Sequence, residues 1–311
     1  MINNTETNHL MRKGVVVIGS SNLDITARVK RLPRPGETIG GGHLLTANGG
    51  KGANQAVAAA RMGADVLLLT CLGRDASGET LSHSLAAEGI DTSKIKFSST
   101  PTGTALIFVD DNAENCIAVA PGSNMDLMPE DVDTISANLK EAAYMLIQME
   151  IPMPTVLRAA QMADSLGAKV ILNPAPMGPV SKELISHLWL ITPNETEAEK
   201  LTGITISSEN DARLAAEALF AEGVENVIIT MGSNGSLVAT RDRMEFVPAR
   251  PVKALDTTGA GDCYNGALVA ALSEGKDLFQ AARVATLASS IAVTRLGAQA
   301  SAPYKNEIES L

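Results

Sequence analysis

The 311-residue chain is 45% hydrophobic but only 3% aromatic, and it carries a formal net charge of −10. The apolar fraction fills a globular core, as one large α/β domain or two smaller ones. The acidic balance and the scarcity of rings argue against a nucleic-acid surface, and no apolar run approaches the roughly 18 residues of a membrane helix. Cys71, Cys116 and Cys263 are too scattered for a metal site or a disulfide framework, which suits a reduced, cytoplasmic protein.

Residues 1–13 are polar, lack an apolar signal region and read as a loose tail. Val15-Val16-Val17-Ile18-Gly19 then reads as a buried strand. Asn22 and Asp24 follow at its C-terminal end, where an α/β sheet delivers polar groups to a ligand. They suit sugar hydroxyls and, equally, an Asx-type turn. From about 23 to 46 the chain is broken by Pro33, Pro35 and Gly36 and reads as a small β excursion; about 103–120 reads as a hairpin turning at Asp110–Ala113. The two excursions are expected to pair as one lid.

Between them, Asn48-Gly49-Gly50-Lys51-Gly52-Ala53-Asn54-Gln55 runs into an alanine-rich helix. Lys51 and Asn54 belong near its first turn; the run is not a Walker A loop. Residues 66–71 read as a strand and 79–88 as a helix. Beyond residue 129 the alternation is regular: helix over 129–140, strand over 144–148, helix over 154–166, then strands at 170–173, 188–191 and 227–230. This pattern predicts a doubly wound, mostly parallel sheet flanked by helices. Nearly every polar or glycine cluster falls at a strand's C-terminal end.

Asp256-Thr257-Thr258-Gly259-Ala260-Gly261-Asp262 precedes another apolar helix. Its glycines allow close approach to a ligand, and free N–H groups of a first helical turn favour an anion. A carboxylate in that turn can take a proton from an attacking hydroxyl, or simply cap the helix.

Together with Asn173-Pro174-Ala175-Pro176 and Thr192-Pro193-Asn194-Glu195-Thr196-Glu197, these runs resemble the pfkB family of carbohydrate kinases from about Val15 to Pro303, and GGKGANQ is similar to its ribokinase-like group. The resemblance implies one ribokinase-like domain over 14–311 with the β lid inserted, an ATP-dependent kinase acting on the 5-hydroxyl of D-ribose, and a homodimer joined through the lids. Deoxyribose, another pentose or a nucleoside is the alternative acceptor, and a non-catalytic sugar sensor is the alternative of another kind. The implied sugar residues are Asn22, Asp24, Gly50, Lys51, Asn54 and Glu150. Asp262 is the implied base, with Gly259, Ala260 and Gly261 as the anion hole. Asn194, Thr230, Gly232, Ser233, Gly235, Gly261 and Thr286 would line the ATP site. Glu197 would reach Mg²⁺ through water. An activating K⁺ would sit at Asp256, Thr258, Ala292, Arg295, Gly297 and Ser301, several through backbone carbonyls. Asn48 departs from the family pattern; it either touches the sugar or caps the turn. Thr286 stands where some members carry a histidine, and Thr258-Gly259 replaces a more apolar pair.

Overall fold

The alternation of apolar runs and helical segments builds a sheet that is buried on both faces. The computed structural model describes residues 12, 14–112 and 114–310. The tail expected over 1–13 lies outside them, apart from Arg12, whose guanidinium donates to the Leu166 carbonyl at 2.8 Å. In chain order the strands are β1 (Gly14–Ile18), β2 (Asn22–Arg28), β3 (His43–Gly49), β4 (Val66–Leu69), β5 (Cys71–Gly73), β6 (Lys96–Ser98), β7 (Gly103–Val109), β8 (Asn115–Ala120), β9 (Ala142–Ile147), β10 (Lys169–Leu172), β11 (Leu190–Ile191), β12 (Asn226–Thr230), β13 (Gly235–Thr240) and β14 (Met244–Pro248). The helices are α1 (Lys51–Arg61), α2 (Ala76–Ala87), α3 (Pro129–Asp133), α4 (Ser136–Glu141), α5 (Met153–Ser165), α6 (Lys182–Ile185), α7 (Glu195–Thr202), α8 (Glu209–Glu222), α9 (Ala260–Ser273), α10 (Leu278–Ala292) and α11 (Lys305–Glu309).

The main sheet has the order β14-β13-β12-β11-β10-β9-β1-β4. Strands β4, β1, β9, β10, β11 and β12 are parallel, and β13 and β14 add an antiparallel hairpin at one edge. The chain winds from β1 towards β4, then from β9 towards β14. The switch falls between β1 and β9, where open α/β sheets hold their ligands. Alternation along each strand divides the core. Val16, Ile18, Met145, Ile147, Val170 and Leu172 pack on the side of α5 and α8. Val15, Val17, Leu146 and Ile171 pack on the side of α1, α9 and α10. Burial on both faces explains the unbroken β-branched and aliphatic runs. Among the described residues no helix is long and apolar enough to cross a membrane.

A separate sheet, β3-β2-β7-β8, rises from the end of β1. In the main body three expected elements come out differently. The helix expected over 129–140 is two, α3 and α4, because the Thr134 hydroxyl bonds back to the Asp131 carbonyl at 2.6 Å and Ile135 turns fully into the core. The strand expected over 66–71 divides at Thr70: β4 stays in the main sheet, while Cys71 pairs with Lys96 in a two-stranded sheet. The strand expected over 188–191 keeps only Leu190 and Ile191.

Helices α1 and α9 approach closely because their contact is made of small residues. A Cβ on Gly266 would lie 2.5 Å from both the Gln55 carbonyl oxygen and the Ala58 Cβ. Gly266→Ala is therefore expected to force the helices apart and to destabilise the fold by about 1–3 kcal/mol, as overpacking does. Urea unfolding measures this; an unchanged midpoint would show that the approach is not needed.

Candidate active site

The site lies beyond the C-terminal ends of β1, β9, β10, β11 and β12, and its floor is the first turn of α9. Gly259 caps that helix in the left-handed region, at φ 72°, which a side chain would strain. The chain can thus turn from the loop at 256–258 directly into a helix whose first turn, at Ala260 and Gly261, lines the cleft; the Ala260 N–H bonds back to the Thr257 carbonyl at 3.2 Å. Asp262, in that turn, is 7% exposed. Its Oδ1 accepts a hydrogen bond from Gln55 Nε2 and its Oδ2 one from Asn54 Nδ2, both at 2.9 Å. The carboxylate is thereby tied to α1 by two amides, while Asn54 Oδ1 stays buried without a partner.

On one side of Asp262 the structure gathers Asn22, Asp24, Gly50, Lys51, Asn54 and Glu150. Glu150 Oε2 accepts the Lys51 backbone N–H at 3.0 Å and the Ser20 hydroxyl at 2.5 Å, which joins the end of β9 to the end of β1. Burial, with Glu150 and then Asp262 nearby, pushes the Asp24 carboxyl up to about 6. Desolvation pulls the Lys51 ammonium down, but Asp262, Glu150 and Glu197 outweigh it and hold it above its ordinary value. The Asn22 amide is oriented from behind. Asn124, fully buried, donates from Nδ2 to Asn22 Oδ1 at 2.7 Å and accepts the Ser21 N–H at 2.9 Å. The same Nδ2 donates to the Pro121 carbonyl at 2.9 Å, so Asn124 fastens the roots of both lid excursions.

On the other side a cleft of about 650 Å³ opens. Asn194, Thr230, Gly232, Ser233, Gly235, Ala260, Gly261 and Thr286 all line it. The Thr286 hydroxyl is buried there without a partner. Asn194 caps α7: its Oδ1 accepts the Glu197 N–H at 2.8 Å, and Glu197 Oε2 accepts the Asn194 N–H at 2.9 Å. Burial raises the Glu197 carboxyl, which the Asn194 N–H and Lys51 only partly offset.

Asp256 joins the loop before α9 to the one after α10. Its Oδ1 accepts the Thr258 N–H and its Oδ2 the Gly297 N–H, both at 2.9 Å. Burial opposes ionisation there, but these donors outweigh it and hold the carboxyl below its usual range. The Arg295 guanidinium pairs with Glu307. Ser301 is buried and donates to the Ala298 carbonyl at 2.9 Å. Ala292 ends α10, and its carbonyl accepts the Arg295 N–H at 2.9 Å.

Asn48 does neither of the things expected of it. Opposite Leu23 in the lid register, it lies on the face away from Asn22 and Asp24, and its Nδ2 donates to Ser84 of α2 at 2.8 Å. Sequence reading gave no role to Gln55, Asn124, Gln148, Asn173 or Asn265. The signal for Gln55, Gln148, Asn173 and Asn265 is an amide where an apolar residue is due, within a buried helix or at a buried strand end, whereas Asn124 lies in a turn without one.

The pfkB family carbohydrate kinase pattern matches residues 12–305. The chain is 44% identical to a ribokinase of Haemophilus influenzae over 96% of its own length and 97% of the relative's. It is 37% identical to a deoxyribokinase of Salmonella typhi, covering 93% and 95%. The solved structure of Arabidopsis thaliana ribokinase complexed with ribose and ATP superposes with a TM-score of 0.90 at 31% identity, over 96% and 98% of the two chains.

Truncating Asn124 orphans a buried N–H and frees the Asn22 amide. Asn124→Ala is expected to cost about 1–3 kcal/mol, the penalty of an unsatisfied buried group. It should lower the urea midpoint accordingly; a wild-type midpoint would refute the role assigned to this amide.

Proposed function

The chain belongs to the pfkB family of carbohydrate kinases and is a sugar kinase, and from that premise we propose that it transfers the γ-phosphoryl group of ATP to the 5-hydroxyl of D-ribose. One observation carries the reading: the Asp262 carboxylate lies in the first turn of α9, between a cluster of carboxylates and amides and a cleft of about 650 Å³. The cluster suits a polyol. Asp24 and Glu150 accept from hydroxyls, and Asn22, Lys51 and Asn54 supply donors and one free acceptor. The cleft, lined by Asn194, Thr230, Gly232, Ser233, Gly235 and Thr286, suits the nucleotide.

Phosphoryl transfer asks for alignment and charge neutralisation more than covalent chemistry. Asp262 accepts the sugar hydroxyl proton as the oxygen attacks phosphorus. The Gly259, Ala260 and Gly261 backbone meets the charge that builds on the transferred group, in the favourable field of a helix N-terminus. Among the described residues no three His, Cys, Asp or Glu side chains converge as a metal cage. A Mg²⁺ ion would therefore ride on the nucleotide phosphates and neutralise their charge, with Glu197 reaching it through water. Asp256, Thr258, Ala292, Arg295, Gly297 and Ser301 offer oxygen donors of the kind a hard cation such as K⁺ takes, which would steady the loop before α9.

Deoxyribose is the second reading, favoured by the 37% identity to a deoxyribokinase. Comparing kcat/KM for ribose and 2-deoxyribose separates the two. We also read the protein as a cytoplasmic homodimer. Its cysteines are free, and the lid exposes Leu44, Leu45, Leu106, Ile117 and Val119. Such surface on open strand edges seeks a partner.

Asp262→Asn is expected to lower kcat by at least about 100-fold with ATP binding little changed. Near-normal turnover in a coupled ADP-release assay would sink the assignment. A second expectation concerns pH. Ionised Asp24 accepts hydroxyls on both oxygens with its full charge, and below about 6 it carries a proton that weakens it as an acceptor. So kcat/KM for the sugar should be flat above about pH 7 and fall on acidification, through a rise in KM, with that rise absent in Asp24→Asn. A sugar KM constant from about pH 5 to 8 in the unaltered enzyme would count against it.

A further inference from the structure

Beneath Asp262 lies a chain of buried amides that the reaction as described does not use. Gln55 is completely buried in α1, and its Nε2 donates to Asp262 Oδ1 at 2.9 Å and to Asn173 Oδ1 at 3.0 Å. Its Oε1 accepts from Nε2 of Gln148, at the end of β9, at 2.6 Å. The orientation of each amide is forced. An ionised carboxylate only accepts, so Gln55 must turn its NH₂ towards Asp262 and its oxygen towards Gln148. Gln148 must then donate, and its own Oε1 is left buried without a partner. Asn173 is fixed in the same way, since its Nδ2 donates to the Thr192 carbonyl at 3.1 Å. An orphaned carbonyl costs stability, and a native structure that keeps one calls for a reason other than packing.

We propose that Gln55 is a positioning residue for phosphoryl transfer, holding the Asp262 carboxylate in one rotation against Asn54, and that Gln148 locks Gln55 in the donating orientation. With one amide on each oxygen, one lone pair on each remains, and those face the incoming hydroxyl. The inference rests on Asp262 being the group that takes the hydroxyl proton. An interaction that matters only when the proton moves should act on kcat and not on KM.

The test is steady-state kinetics of Gln55→Met, Gln148→Met and Asp262→Asn in the full chain, each checked for folding by thermal melt. Gln55→Met should lower kcat about 10- to 100-fold, the loss of one charge-assisted hydrogen bond, with both KM values within about threefold. Gln148→Met, which never touches the base, should show the same pattern at about 3- to 10-fold. A folded Gln55→Met with kcat within about twofold of the unaltered enzyme overturns the proposal, as does a loss that falls on KM. Should Gln55→Met fail to fold, an unchanged kcat in Gln148→Met overturns it. The base assignment fails separately: it falls if Asp262→Asn turns over normally, whereas an inactive Asp262→Asn beside a fully active Gln55→Met removes only the role of Gln55.

Discussion

A carboxylate buried under the first turn of α9 sets the terms for the rest of the molecule. Burying Asp262 is costly unless donors meet it, and the donors come from another helix, Asn54 and Gln55 of α1. Side chains of that length reach only if the helix backbones nearly touch. Ala58 and the backbone of Gln55 and Ala59 on α1, against Gly266 on α9, provide that closeness. A small-residue interface is therefore part of the chemistry here and not merely filler of the core.

Charge is distributed on the two sides of Asp262 in opposite senses. Towards the lid, burial first, and then Glu150 and Asp262 nearby, hold Asp24 at about 6, and the carboxylates leave an excess of acceptors beside Lys51. Hydroxyl donors relieve that excess, which favours a polyol over an anion in this half. Towards the cleft, the helix N-terminus with Gly259 and Gly261 offers a positive dipole end, which favours a phosphate. Asp262 marks the border between the two halves, which is where the proposed transfer places the hydroxyl against phosphorus.

The doubly wound sheet was legible because burial on both faces writes itself as runs such as Val15–Ile18 and Val170–Leu172. So was the placing of polar clusters at strand ends, which brings Asn22, Lys51, Glu150, Asn194 and Asp262 into one region. What sequence spacing cannot carry is the direction of a side chain across elements. Asn48 sits beside Gly49 and Gly50 in the chain, yet a strand's period of two turns it to the opposite face, onto Ser84. Gln55 sits one residue from Asn54, but its bonds to Asp262 and Asn173 span more than a hundred residues. Asn124, in an unremarkable turn, governs Asn22 from behind. Each is a tertiary fact with no local signature beyond an amide in an apolar setting.

The lid divides in a way that bears on how the site works. Its root is rigid: Asn124 joins Ser21, Asn22 and Pro121, and Asp75 accepts the Thr102 N–H at 2.8 Å and its hydroxyl at 2.7 Å just before β7. Its blade is thin, with β8 exposed throughout and large apolar groups facing solvent. Segments with few buried contacts open at low cost, and well-bonded ones do not. Asn22 and Asp24 lie at the root, so the side chains proposed to meet the sugar belong to the well-bonded part of this sheet.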